Sequence, residues 1–227
     1  MNNPDSIQDL IRISTNLKKL GIEHAFVGGA TIAVYLSSAG ISESRPTDDI
    51  DCVVDIGTLP DYYKLEDKLR EAGFKNEPKG PRCRWNYQGI VVDIMPADER
   101  ISGMPSKWFT EGFQALSFQK LSDGTEIPVF SVAYLLATKF EAYNDRGKKN
   151  LRFSTDIEDI LLLLDGYPDA FEDIRKSDAV VKDFLIKQFK YLLKQSEFEE
   201  VVHGQMIGSE KKKKADRILE NIKALQP

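Results

Sequence analysis

Two aspartates, Asp49 and Asp51, stand two residues apart in the stretch SRPTDDIDCVVD (44–55), on the lip of an apolar, strand-like segment. In an extended chain, residues i and i+2 face the same way and lie about 7 Å apart. Carboxylates placed so, with no basic neighbour beside them, repel each other unless a cation lies between. Two magnesium ions about 4 Å apart, bridged by such a pair, would cancel the repulsion and clamp the phosphates of a nucleotide. That arrangement needs a third carboxylate from an adjacent strand. Asp93, inside the apolar run GIVVDIMP, is the candidate, because a charge within a sheet is costly without a partner. Taken alone, the Asp49/Asp51 pair also reads as a solvated acidic turn.

A second element is FVGGATIAVY, where Gly28 and Gly29 join a short apolar strand to a helix. Bare backbone amides at a helix start can meet an anion at the positive end of the helix dipole. A tight strand-to-helix turn is the plainer reading. The third glycine of a dinucleotide fingerprint is missing, and no Gly-Lys-Ser/Thr follows to make a Walker A loop. The chain has only 2 histidines, His24 and His203, which removes most Ser-His-Asp and zinc chemistry. Reactivity must then rest on carboxylates, lysine and arginine.

Positioning these groups falls to an α/β N-terminal part, 1–130, followed by an all-helical part, 131–227. Apolar spacing predicts a helix over 6–20, a strand at HAFV (24–27), a helix from ATIAVYLSS and a strand at IDCVVDI. LPDYYKLEDKLREAGF reads as a helix with proline at its start. RCRWNY and GIVVDIM flank Gln88-Gly89 as a hairpin, and a second turn is expected at Asp123-Gly124. SVAYLLATKFEAYNDRG and STDIEDILLLLDG are helices, the second with Thr155 and Glu158 at capping-box spacing, and further helices fill 169–226 with Ser177 and Ser209 as caps.

A net charge of −5 argues against nucleic-acid binding through overall charge and leaves room for a local basic groove. No apolar run approaches the roughly 18 residues of a membrane span. No secretory signal is read at the N-terminus. Cys52 and Cys83 are read as reduced thiols, so a cytoplasmic protein without membrane contact is expected.

Gly-Gly opening a helix, then Arg45, Thr47, Asp49 and Asp51 in RPTDDID, then a lone strand aspartate, resembles the DNA polymerase β-like nucleotidyltransferase superfamily. The form R-x-T-x-D-I-D after GGA resembles most its AbiEii/MenT toxin-like branch. A second pattern of that branch matches Lys139, Ala142, Arg146, Asp156 and Asp159, so the likeness spans roughly residues 20–165. Two departures stand out: Thr155 occupies a place where many relatives carry a basic residue, and Asp48 is an additional acid read as solvated.

The resemblance implies an α/β (α+β) fold, with a polymerase β-like core of mixed sheet and flanking helices followed by a C-terminal helical bundle. It implies that Asp49 and Asp51 hold two Mg2+ ions (Mn2+ as substitute), and that Asp93 holds the catalytic ion and helps deprotonate the incoming hydroxyl. Thr47 and the amides of Gly28 and Gly29 would contact the triphosphate of an NTP. Arg45 would orient the loop or touch phosphate, with a surface ion pair as the alternative. Lys139 would reach the triphosphate rather than snorkel to solvent, and Asp156 would orient Lys139 or the acceptor. The basic run Arg146, Lys148, Lys149 and Arg152 is either a solvated loop or a grip for RNA or an acceptor protein. Lys75, Lys79, Arg82 and Arg84 would add a basic rim. The expected activity is transfer of an NMP from an NTP to a hydroxyl of tRNA or protein by a toxin that has an antitoxin as partner, without recognition of DNA sequence. The alternatives are an antibiotic nucleotidyltransferase and a catalytically silent nucleotide-binding module.

Overall fold

The expected alternation of strands and helices ahead of residue 130 is present in the computed structural model, which describes residues 6–41, 47–102, 107–121, 123–146 and 150–225. The chain forms two compact units, Met1–Ser131 and Val132–Pro227. In the first unit the order is α1 (Ser6–Lys19), β1 (His24–Val27), α2 (Gly29–Ser38), β2 (Ile50–Val54), α3 (Leu59–Glu71), β3 (Lys75–Asn76), β4 (Arg84–Tyr87), β5 (Ile90–Pro96), α4 (Glu99–Ser102), α5 (Phe109–Gln114), β6 (Leu116–Lys120) and β7 (Glu126–Phe130). The strands make one mixed sheet in the order β3-β4-β5-β2-β1-β7-β6. Within it β2 runs parallel to β5, and β1 parallel to β7, while the other neighbours are antiparallel.

Local chemistry explains the turns that set this register. Gln88 and Gly89 both have positive φ, 53° and 92°, as a two-residue hairpin turn requires, and the Gly89 amide donates to Asn86 Oδ1. Thr58 caps α3 by accepting from the Asp61 amide, with Pro60 in the first turn. Helices α1 and α2 pack on each other, and α2 also packs on β1, β2 and β6. The unit's core includes Phe26, Tyr35 and Trp85, and the Tyr35 hydroxyl donates to the Phe130 carbonyl at 2.7 Å. Cys52 and Cys83 are buried free thiols; burial raises the pKa of both, that of Cys83 to about 12, so neither is a thiolate at neutral pH.

The second unit is helical: α6 (Val132–Asp145), a 3-10 turn (Leu151–Phe153), α7 (Thr155–Gly166), α8 (Ala170–Lys176), α9 (Ala179–Leu193), α10 (Phe198–Gln205) and α11 (Lys211–Ala224). Helix α6 is apolar on most of its surface and packs against α7, α8 and α9. Three caps differ from expectation. Ser154, not Thr155, caps α7 by accepting from the Ile157 amide. Ser177 closes α8 by donating to the Ile174 carbonyl, and Asp178 precedes α9. Glu210, not Ser209, occupies the cap position of α11. Among the described residues no helix is long and apolar enough to cross a membrane.

His24 supplies a pH-sensitive element. Its Nδ1–H donates to the Ile22 carbonyl at 3.0 Å, which leaves Nε2 to accept from the Ser14 hydroxyl at 2.9 Å. Burial is the main cause that lowers its pKa from the ordinary 6.5; the Ile22 carbonyl opposes this and Lys18 adds to it. The unfolded chain therefore binds a proton near pH 6.5 while the folded chain still excludes it, so stability falls as pH drops below about 6.5. Urea melts between pH 7.5 and 5 should show this loss in the wild type and a shallower one in His24→Gln. Equal slopes in the two proteins would contradict it.

Candidate active site

The sheet register brings the three expected acids together with a cation that the sequence reading left at the rim. Asp93 on β5 is opposite Asp51 on β2 on one side and opposite Arg84 on β4 on the other. Lateral neighbours on adjacent strands project from the same face, so Arg84, Asp93 and Asp51 form a row across three adjacent strands of the sheet. Asp49 immediately precedes β2. The Arg84 guanidinium forks onto Asp93, Nε donating to Oδ1 at 2.8 Å and Nη2 to Oδ2 at 2.7 Å, and the same Nη2 donates to Asp49 Oδ2 at 2.5 Å. Asp93 is buried. These carboxylates, Asp93 first, hold the Arg84 pKa above its ordinary value, so the guanidinium is permanently charged.

Arg84 therefore is not part of a basic rim; it is the positive charge that the Asp93 carboxylate required. Arg82 also departs from that rim, since it pairs with Glu66 and stacks over Tyr62 and Tyr63. Hairpin counting reveals Arg84 in retrospect: a two-residue turn at 88–89 pairs 87 with 90, and three steps outward pairs 84 with 93. Among the described residues no group of three or more His, Cys, Asp or Glu side chains is gathered to hold a metal ion, and a guanidinium lies between Asp49 and Asp93.

Gly28 has φ 79° and ψ −165°, a conformation essentially reserved for glycine. A Cβ built there would sit 1.9 Å from Asp51 Oδ2, so the missing side chain is what lets the Asp51 carboxylate lie against the backbone where α2 begins. Gly29 is the first residue of α2. Among the described residues two hydroxyls are buried without a hydrogen-bond partner: Thr31 in the first turn of α2, and Thr47, two residues before Asp49. Buried unsatisfied hydroxyls are uncommon and mark places where a ligand or water completes the bonding. Asp48 is exposed, as a solvated acid would be, and so is Asp55; Arg45 lies outside the described residues.

In the second unit, Lys139 of α6 forms an ion pair with Asp159 of α7 at 2.6 Å and lies 4.0 Å from Asp156. Both acids are buried. They stand i, i+3 on α7 and so share a face. Lys139 does not snorkel to solvent; its side chain is 12% exposed and turned to these acids. Asp156 accepts a charge-assisted hydrogen bond from Arg146. Asp159, quoted in the sequence pattern without a role, is the closest partner of Lys139. Of the basic run read either as a solvated loop or as a grip for RNA or an acceptor protein, the two described cations are internally paired: Arg146 holds Asp156, and Arg152 pairs with Glu197 and Glu200. Lys148 and Lys149 lie outside the described residues.

Comparison with known proteins supplies independent support. The family model described as nucleotidyl transferase AbiEii toxin, Type IV TA system, matches residues 12–224. Among solved structures, an antigenic nucleotidyltransferase-like protein from Paracoccidioides brasiliensis is similar with a TM-score of 0.56 and 15% identity, over 88% of this chain and 93% of that one. The antibiotic-resistance factor ANT(2'')-Ia is similar with a TM-score of 0.50 and 16% identity, over 83% of this chain and 96% of that one. At such identities the likeness establishes the nucleotidyltransferase fold and nothing finer. No curated protein matches the chain.

Two substitutions probe this geometry. Gly28→Ala combines a disfavoured backbone with a collision at Asp51, so urea melts should show a loss of at least about 2 kcal/mol; wild-type stability would contradict the close approach. Asp159→Ala leaves the Lys139 ammonium without its nearest partner and should cost about 3 kcal/mol. The same melts test it, and a loss below about 0.5 kcal/mol would place the pair in the class of dispensable surface bridges.

Proposed function

Because the chain belongs to the AbiEii nucleotidyl transferase toxin family, we propose that this nucleotidyltransferase moves a nucleoside monophosphate from an NTP to a hydroxyl of tRNA or protein, as a magnesium-dependent toxin of the cytoplasm. The observation that carries the reading is the convergence of Asp49 and Asp93 on one cation position, with Asp51 in the same row of the sheet. Carboxylate oxygens are the donors that hard divalent cations prefer, and the unpartnered Thr47 hydroxyl lies two residues away in the chain. By donor chemistry the three carboxylates suit magnesium, although they are not gathered around one position while the guanidinium stands between two of them. Bound at Asp49, Asp51 and Asp93, magnesium would neutralise the triphosphate and favour ionisation of the acceptor hydroxyl.

The chain's own groups divide the remaining work. The acceptor oxygen attacks the α-phosphorus; the bond to the α–β bridging oxygen breaks, and its electron pair leaves with pyrophosphate. Asp93 takes up the hydroxyl proton. The amides of Gly28 and Gly29 and the hydroxyl of Thr47 hold phosphate oxygens at the start of α2, where the helix dipole favours negative charge. Lys139, held by Asp159, is assigned to the triphosphate, and Asp156 to its orientation. Positioning and charge neutralisation suffice for such a transfer, with no covalent intermediate on the enzyme. Type IV toxin–antitoxin membership supports an antitoxin as biological partner.

A small-molecule acceptor is the second reading. It is favoured by the internal pairing of Arg146 and Arg152, which removes two cations from any grip on RNA. Incubation with magnesium and each NTP labelled at the α-phosphate should label tRNA or a protein in cell lysate; label on an added aminoglycoside alone would select the second reading. Asp93→Asn, checked by melting to be folded, should lower transfer at least about 100-fold. Undiminished transfer would overturn the assignment of this site.

A further inference from the structure

We propose that Arg84 is a resident counter-ion of the carboxylate cluster: its guanidinium holds the cation position shared by Asp49 and Asp93, and it withdraws when a divalent metal enters. The inference rests on the assignment of the metal to these aspartates. Its own support is geometric. One nitrogen, Nη2, lies 2.5 Å from Asp49 and 2.7 Å from Asp93, and Nε occupies the other oxygen of Asp93 at 2.8 Å. A cation bridging the two aspartates and the guanidinium therefore compete for the same space and the same oxygens.

The rest of the surroundings suit an exchangeable group. Asp93 is fixed in mid-sheet with its side chain 10% exposed, whereas Arg84 is 29% exposed and has a route to solvent. The paired position is nonetheless shaped for this side chain: a Cβ on Gly80 would stand 2.8 Å from Arg84 Cδ, so the glycine clears the space that the arginine stem fills. Without a cation, Asp93 would be a buried charge with no partner, a costly state that the guanidinium relieves. Arginine keeps its charge throughout the physiological pH range. Loss of the guanidinium proton therefore does not open the position at physiological pH, whereas exchange for another cation can. Two groups competing for one position lower the apparent metal affinity by the fraction of molecules in which the arginine has left.

The test uses Mn2+ alone, without nucleotide, as the probe. Wild type, Arg84→Met, Arg84→Lys and Asp93→Asn are compared by electron paramagnetic resonance of unbound Mn2+ and by thermal melting with and without the ion. Arg84→Met keeps the stem and removes the charge, so it should melt lower than wild type in the absence of metal, bind Mn2+ about tenfold more tightly and regain its melting temperature when Mn2+ is added. Arg84→Lys, which retains a charge but not the fork, should lie between the two. It carries the comparison if Arg84→Met does not fold. Equal or weaker Mn2+ binding on loss of the guanidinium, with Asp93→Asn still impaired, would overturn the counter-ion role and leave the metal site standing. Mn2+ binding that Asp93→Asn leaves unchanged would overturn the metal assignment and this inference together.

Discussion

The contact on which the first unit depends is the fork of Arg84 onto Asp93. A carboxylate buried in the interior of a seven-stranded sheet is destabilising unless both oxygens are met, and the neighbouring strand meets both. Several otherwise separate features serve that contact. The turn at Gln88-Gly89 sets the register that places residue 84 opposite residue 93. Gly80 leaves space for the arginine stem, and the parallel pairing of β2 with β5 brings Asp51 alongside. Charge-assisted forks of this kind are geometrically demanding. The hairpin is consequently specified by a polar contact as well as by its apolar face.

The helical unit uses the same device in a different form. Two acids on one face of α7 are buried, and two cations from the region just before it, Lys139 and Arg146, neutralise them. Here the cost of burying charge is met within a helix pair, α6 and α7, whose other buried residues are mainly apolar. Such networks contribute little net stability compared with a hydrophobic substitute, yet losing one member is expensive. Residues so placed are fixed in position.

Much of this was legible in the sequence, and the rest was not for identifiable reasons. Strand and helix positions followed from periodicity and turn residues: HAFV, IDCVVDI and the 88–89 hairpin all lie where spacing places them. Asp49, Asp51 and Asp93 were found because charge beside or inside an apolar strand is conspicuous. Arg84 was misjudged because arginine in a strand facing water is ordinary, and only register shows which residue it opposes. The sequence likewise showed a basic run at 146–152 but not its partners, since Glu197 and Glu200 lie far along the chain. Caps were off by one residue at α7, where Ser154 and Thr155 are chemically near-equivalent and only backbone geometry separates them.

The row from Arg84 through Asp93 to Asp51 also works as a check on strand alignment. Side chains alternate between the faces of a strand, so a one-residue slip of β2 would turn Asp51 to the opposite face and bring Ile50 or Cys52 opposite Asp93. Ile50 and Cys52 are both fully buried in the native pairing, so the slipped chain would expose apolar groups and bury a lone carboxylate at one stroke. Misaligned molecules are thereby unstable as well as lacking the acidic row. A sheet that has closed correctly has, in the same event, assembled its acidic row, and no well-folded but wrongly threaded population is left beside it.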